Sequence, residues 1–209
     1  QTKMQLATAQ LLQDPCGKTG IGSIWKGSIN TSTVTVSANT DAEQTKTGDR
    51  CLKMVSTEST GVGRCYQTVS IPAGRSFTFS AYVKMDVEEL GSVGGCYLSL
   101  YYTDKDGKQQ TTNNKRIETT GGTWKLLSLP FTLPSDASSQ TVTCNVVLRN
   151  LKGSVLIDDL QVEWGLNPNR HNFISNGDLT YNHLNLFTRE DSDDGDKIVT
   201  TGTETELPV

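Results

Sequence analysis

With 209 residues the chain can close a substantial core, and a 34% hydrophobic share beside abundant Thr, Ser and Gly favours short strands and turns over helical bundles. A formal net charge of −4, with acids and bases interspersed outside one acidic cluster near 190–196, gives no basic footprint for nucleic acid. No apolar run reaches the roughly 18 residues of a membrane span, no signal peptide is visible, and a start at Gln1 without an initiator Met points to a fragment or processed product.

Residues 3–13 are rich in helix formers and read as a short helix ended by Pro15 and Gly17, within an N-terminal segment 1–30. From Thr31 the pattern becomes strands between turn signals. Residues 33–37 alternate, 51–56 set Leu52 and Met54 on one face, and 64–71 runs into the turn Pro72-Ala-Gly74. In 76–85, Phe77, Phe79, Ala81 and Val83 share a face; in 96–103, Leu98, Leu100 and Tyr102 oppose Tyr97, Ser99 and Tyr101. Asp104-Lys-Asp-Gly107 signals a hairpin, and the polar stretch 109–117 suits an edge strand. In 124–131, Trp124 and Leu126 are out of phase with Leu127, Leu129 and Phe131, which predicts a bulge. Residues 141–149 place Val142, Cys144, Val146 and Leu148 inward; 154–163 place Leu156, Leu160 and Val162 inward.

Regularly spaced alternating strands with no helix between them define an all-β fold, a two-sheet antiparallel β-sandwich of jelly-roll type over 31–165. Cys16, Cys51, Cys65, Cys96 and Cys144 have no CxxC spacing and read as buried free thiols. In jelly-roll order, strands 64–71, 96–103, 109–117 and 141–149 share a sheet whose outward face carries Tyr66, Tyr97, Ser99, Tyr101, Asn145 and Arg149. Aromatic rings stack on sugar C–H surfaces while polar groups read hydroxyls, so this set is the candidate ligand site. The competing reading makes these tyrosines ordinary strand formers. Trp124 and Trp25 are expected to pack internally, and Trp164 to cover the sandwich end. Asp158 shares parity with Leu156, Leu160 and Val162, and a carboxylate on a buried face needs a partner or a metal.

No catalytic motif stands out. The imidazoles, His171 and His183, lie in the linker and tail, and Glu88 and Glu89 read as solvated loop acids. The run Asp191-Ser-Asp-Asp-Gly-Asp196 fails as a calcium loop, because the position that needs a bidentate Glu holds Gly202, and reads as a solvated loop.

The stretches Ser76-Phe-Thr-Phe-Ser-Ala-Tyr-Val-Lys84, Thr123-Trp124 and Val155-Leu-Ile-Asp-Asp-Leu-Gln-Val-Glu-Trp-Gly165 resemble the carbohydrate-binding-module-like jelly rolls of large bacterial surface proteins, the Rhs/YD-repeat and wall-associated types included. Leu166 to Leu179 then resembles the family's linker, so 166–209 reads as that linker and the start of a following module. The resemblance implies a secreted or cell-surface location, a glycan as partner beside neighbouring modules of the same chain, and a structural Ca2+ held by Asp158 with an acid of the first strand. No clear copy of that first strand occurs in 1–30. The alternative for Asp158 is bonding to backbone amides or an Arg at the sandwich rim. The expected function is a non-catalytic carbohydrate-binding module of a larger secreted or cell-surface bacterial protein. A structural spacer or protein-contact module is the rival, and a phage-tail or adhesin recognition module the third reading.

Overall fold

The computed structural model describes residues 11–13, 17, 24–29, 32–168, 187–192, 195–200 and 203–206. Most of the expected helix over 3–13 lies outside them, as do Cys16, His171 and His183. Residues 11–13 are not helical, and the Leu11 amide donates to the Val162 carbonyl at 2.9 Å. The chain divides into two compact units, 1–172 and 173–209.

The larger unit contains strands β1 (Lys26–Ile29), β2 (Val34–Asn39), β3 (Cys51–Ser56), β4 (Val62–Ser70), β5 (Ser76–Thr103), β6 (Gln109–Asn113), β7 (Lys125–Thr132) and β8 (Thr141–Trp164). All pairings are antiparallel, and β5 and β8 are long enough to run through both layers. The first layer has the order β1–β4–β8–β5–β6, using residues 141–149 of β8 and 95–103 of β5. The second has the order β2–β3–β8–β5–β7, using the other halves of the same two strands. The two-sheet jelly-roll expectation holds. The strands expected at 64–71, 96–103, 109–117 and 141–149 do share a sheet, which β1 extends back to Lys26, ahead of the expected start at Thr31.

What reads as separate strands at 76–85 and 96–103 is one strand that turns a corner, with register shifts at Val87/Glu89 and Leu90/Gly95. β8 turns beside it at Gly153, where φ is +135° and an added Cβ would sit 2.1 Å from the Asp86 carbonyl oxygen. Bends of this kind let one strand serve two packed sheets.

The core follows from alternation. Cys65, Leu98, Leu100, Cys144, Val146 and Leu148 from the first layer meet Leu52, Met54, Phe77, Phe79, Val83, Ile157 and Val162 from the second in one buried cluster. Among the described cysteines, Cys51, Cys65, Cys96 and Cys144 are buried free thiols, as expected. Burial pushes the Cys65 thiol up to about 12 and raises those of Cys96 and Cys144 as well, so they remain protonated packing groups.

Two phase expectations need correction. β7 pairs with β5 without a register shift, so no bulge lies there; Trp124 and Leu126 stand outside while Leu127 and Leu129 face the core. Trp124 is accordingly half-buried and not a core residue. The irregularity sits instead in β8, where pairing passes from Tyr82↔Asp158 to Ser80↔Gln161 and Asp159 takes φ +47°. An extra residue reverses side-chain parity. Leu156 and Asp158 therefore face outward, and Leu160 and Val162 face inward. Trp25 is fully buried, and Trp164 packs against the core with the Arg75 guanidinium 4.7 Å from its ring.

The smaller unit holds an antiparallel three-stranded sheet, β9 (Phe187–Ser192), β10 (Gly195–Thr200) and β11 (Thr203–Glu206), in the order β11–β10–β9. Of the acidic run, Asp191 and Ser192 end β9 while Gly195 and Asp196 open β10, with Asp196 opposite Asp191; Asp193 and Asp194 lie outside the described residues.

Candidate functional site

The outward face of the first layer is organised by its register. One cross-strand row runs Lys26, Tyr66, Asn145, Ser99, Asn113; the next runs Ser28, Arg64, Val147, Tyr97; a third runs Thr68, Thr143, Tyr101, Thr111. Period-2 alternation sends all of these side chains to the side away from the core. All six expected site residues are on this face.

They do not play equal parts. Tyr66, Tyr97 and Tyr101 are partly exposed, whereas Ser99 is 2% and Asn145 0% exposed. Those two are closed to solvent, and the residue that sequence reasoning missed, Arg64, reaches Asn145. Its Nη1 donates to Asn145 Oδ1, and its guanidinium carbon stands 4.3 Å from the centre of the Tyr66 ring and 4.9 Å from that of Tyr101. Asn145 is fixed in turn, its Nδ2 donating to the carbonyls of Ser99 and Thr143, both at 3.0 Å. Asn145 is thus a buried bracket that aims Arg64, and Ser99 contributes a backbone acceptor. Arg149 is exposed and opposes Val62 and Gly95, two rows from Asn145 or roughly 13 Å along the strand. A shared face brings Arg64, Tyr66 and Tyr101 together and leaves Arg149 apart. The available signal for Arg64 was its i, i+2 spacing to Tyr66.

Beside Tyr66 the face continues into a groove of about 490 Å³ lined by Leu11, Gln13, Ile24, Lys26, Thr68 and Ser70 among others. Gln67 closes its floor through a two-way amide pair with the Gln13 backbone, at 2.8 and 2.9 Å.

Asp158 lies on the opposite side of the molecule, on the outer face of the second layer, under the loop between β2 and β3. It is fully buried, and its Oδ2 accepts the Lys46 and Thr47 amides at 2.9 and 3.1 Å, while Oδ1 accepts the Asp159 amide at 2.8 Å. Burial is the main cause that lifts its carboxyl from 3.8 to about 6, with the Asp159 charge adding and the amides opposing. Lys46 Nζ sits 2.9 Å from Asp159 Oδ2 and 4.0 Å from the Tyr82 ring centre, and Thr47 Oγ1 donates to the same Asp159 oxygen at 3.0 Å. A Ca2+ site needs six to eight oxygen ligands. Here both carboxylates face N–H, O–H and ammonium donors, and no group of three or more His, Cys, Asp or Glu suited to a metal occurs among the described residues. The donor set does not suit Ca2+.

The comparisons with known proteins agree with this architecture. The sequence matches the model of a family described as carbohydrate binding domain over residues 21–150, more than half of the chain, and the protein belongs to that family. No curated protein matches it. Among solved structures it is similar to TmCBM61 in complex with β-1,4-galactotriose, at 18% identity and TM-score 0.53, over 76% of this chain and 100% of that one. It is also similar to the CBM22-1 xylan-binding domain from Paenibacillus barcinonensis Xyn10C, at 17% identity and TM-score 0.54, over 78% and 98%. The enzymatically active domain of bacteriophage CBA120 tailspike protein 4 gives 17% identity and TM-score 0.60 over 75% of this chain, which spans 21% of the tailspike chain. At these identities the likeness concerns the fold.

Proposed function

We propose that the protein is a non-catalytic carbohydrate-binding module whose site is the outward face of the first layer, centred on Arg64, Tyr66 and Tyr101. The observation that carries this reading is the guanidinium set between two tyrosine rings and held by a buried Asn145. Rings offer stacking faces for sugar C–H surfaces, and the guanidinium N–H groups that Asn145 leaves free can donate to sugar oxygens. Pre-aiming of this kind lowers the ordering cost of binding. A glycosidase needs two carboxyl groups flanking the scissile bond. The described strand positions of this face carry none, which supports a binding role over a hydrolytic one. The closing-strand resemblance supports placing the module in a secreted or cell-surface bacterial protein. Among the described residues no helix is long and apolar enough to cross a membrane.

A glycan array probed with the chain and with its Tyr66→Ala/Tyr101→Ala variant tests the site. Specific binding that falls by at least about tenfold in a variant of unchanged melting temperature supports it, since each lost stacking contact is worth on the order of 1 kcal/mol. Silence of the native chain across a broad array would favour the spacer reading.

A further inference from the structure

We infer that the ligand of this face is an anionic glycan, one bearing carboxylate or sulfate groups, with Arg64 and Lys26 as the residues that select it. The inference rests on the carbohydrate-binding reading and adds the ligand's charge. Its basis is the distribution of charge. The chain as a whole is acidic, with net charge −4. Yet the outward strand positions of the first layer carry Lys26, Arg64 and Arg149 and no Asp or Glu among the described residues. Among the described residues the groove beside Tyr66 repeats the pattern, with Lys26 as its charged lining residue and no acid.

Ion pairs elsewhere in this chain set Lys46, Lys105, Arg116 and Lys152 beside carboxylates. Arg64 is treated differently. Its polar partner is a neutral amide and its other neighbours are two ring faces, so its full charge stays on the face. A guanidinium stacked on aromatic rings keeps its N–H edge available, and that edge matches the two oxygens of a carboxylate or sulfate in a fork. Face acceptors for neutral sugar hydroxyls are limited to hydroxyls, amides and carbonyls, whereas a carboxylate would be the stronger acceptor. Lys26, opposite Tyr66 in the register, places a second cation one strand further along the sheet. A polymer with regularly spaced negative groups could meet both cations while its rings lie on the tyrosines.

The test is isothermal titration calorimetry of the full chain with matched ligands. Polygalacturonate is paired with its carboxyl-reduced form, chondroitin sulfate with its desulfated form, and xylan and a single-stranded oligonucleotide complete the set. The expected result is that at least one anionic polymer binds about tenfold or more tighter than its neutralised counterpart, the scale of one charge-assisted hydrogen bond. Sensitivity to carboxyl reduction would assign a uronate, and sensitivity to desulfation a sulfate ester. Arg64→Gln should abolish that advantage, and so, in smaller degree, should Lys26→Gln, an exposed substitution that leaves the Asn145 bracket intact. Equal binding of charged and neutralised polymers, or binding of xylan alone, would overturn the anionic assignment and leave the carbohydrate face standing. Oligonucleotide binding as tight as the best glycan would overturn it in favour of a general polyanion site. No binding to any glycan would remove both readings together.

Discussion

The two layers share two strands and have the same antiparallel build, but their outer faces are finished in opposite ways. On the second layer the β2–β3 loop folds back, and its Lys46 and Thr47 amides, the Lys46 ammonium and the Thr47 hydroxyl satisfy Asp158 and Asp159. On the first layer a buried amide satisfies one N–H group of Arg64, and the charge and two ring flanks are left to the outside. A polar cluster closed by its own chain contributes to stability; one left half-satisfied on a prepared support is a place for a ligand. Substitutions on the two faces should therefore separate stability from binding.

The largest effect is expected at Asp158. Its replacement by Ala strips three backbone amides of their acceptor beneath the loop, so urea unfolding should show a loss of about 3–5 kcal/mol with glycan affinity unchanged. A comparable loss of affinity would mean that the two faces are coupled. Next comes pH. The folded chain holds the Asp158 proton more tightly than the unfolded one, so the group's stabilisation is complete below about pH 4 and is lost as pH rises through about 6. Relative to Asp158→Asn, the native chain should lose up to about 3 kcal/mol between pH 4 and pH 7, read by urea unfolding at both values. A gap moving the other way would show that the three amides outweigh burial.

Smaller still is Lys46→Ala, which removes an ion pair to Asp159 and a cation–ring contact to Tyr82, for about 1 kcal/mol in the same assay. The smallest expected effect is that of a chelator. Because ammonium, hydroxyl and amide groups occupy the donor positions around Asp158 and Asp159, EDTA should leave the melting temperature unchanged. A fall on chelation that Ca2+ reverses would return the metal to this site.

The amino-acid sequence by itself determined the all-β class, the jelly-roll sheet assignment and the face on which the tyrosines stand. Alternation at period 2 is a local property, and each apolar row such as Phe77, Phe79, Ala81 and Val83 announces its buried side without reference to the rest of the chain. The same rule failed in β8, where one extra residue reversed the parity and moved Asp158 from the expected core side to the outer face. Nothing local marks that position, because the bulge is defined by what pairs across from it. The tertiary structure alone decided the site's centre. Arg64 is one of many charged strand residues until β8 and β5 bring Asn145 and Tyr101 beside it from far along the chain. It also decided that Asn145 and Ser99 serve as support, since burial on an outward face depends on what a neighbouring strand lays over them.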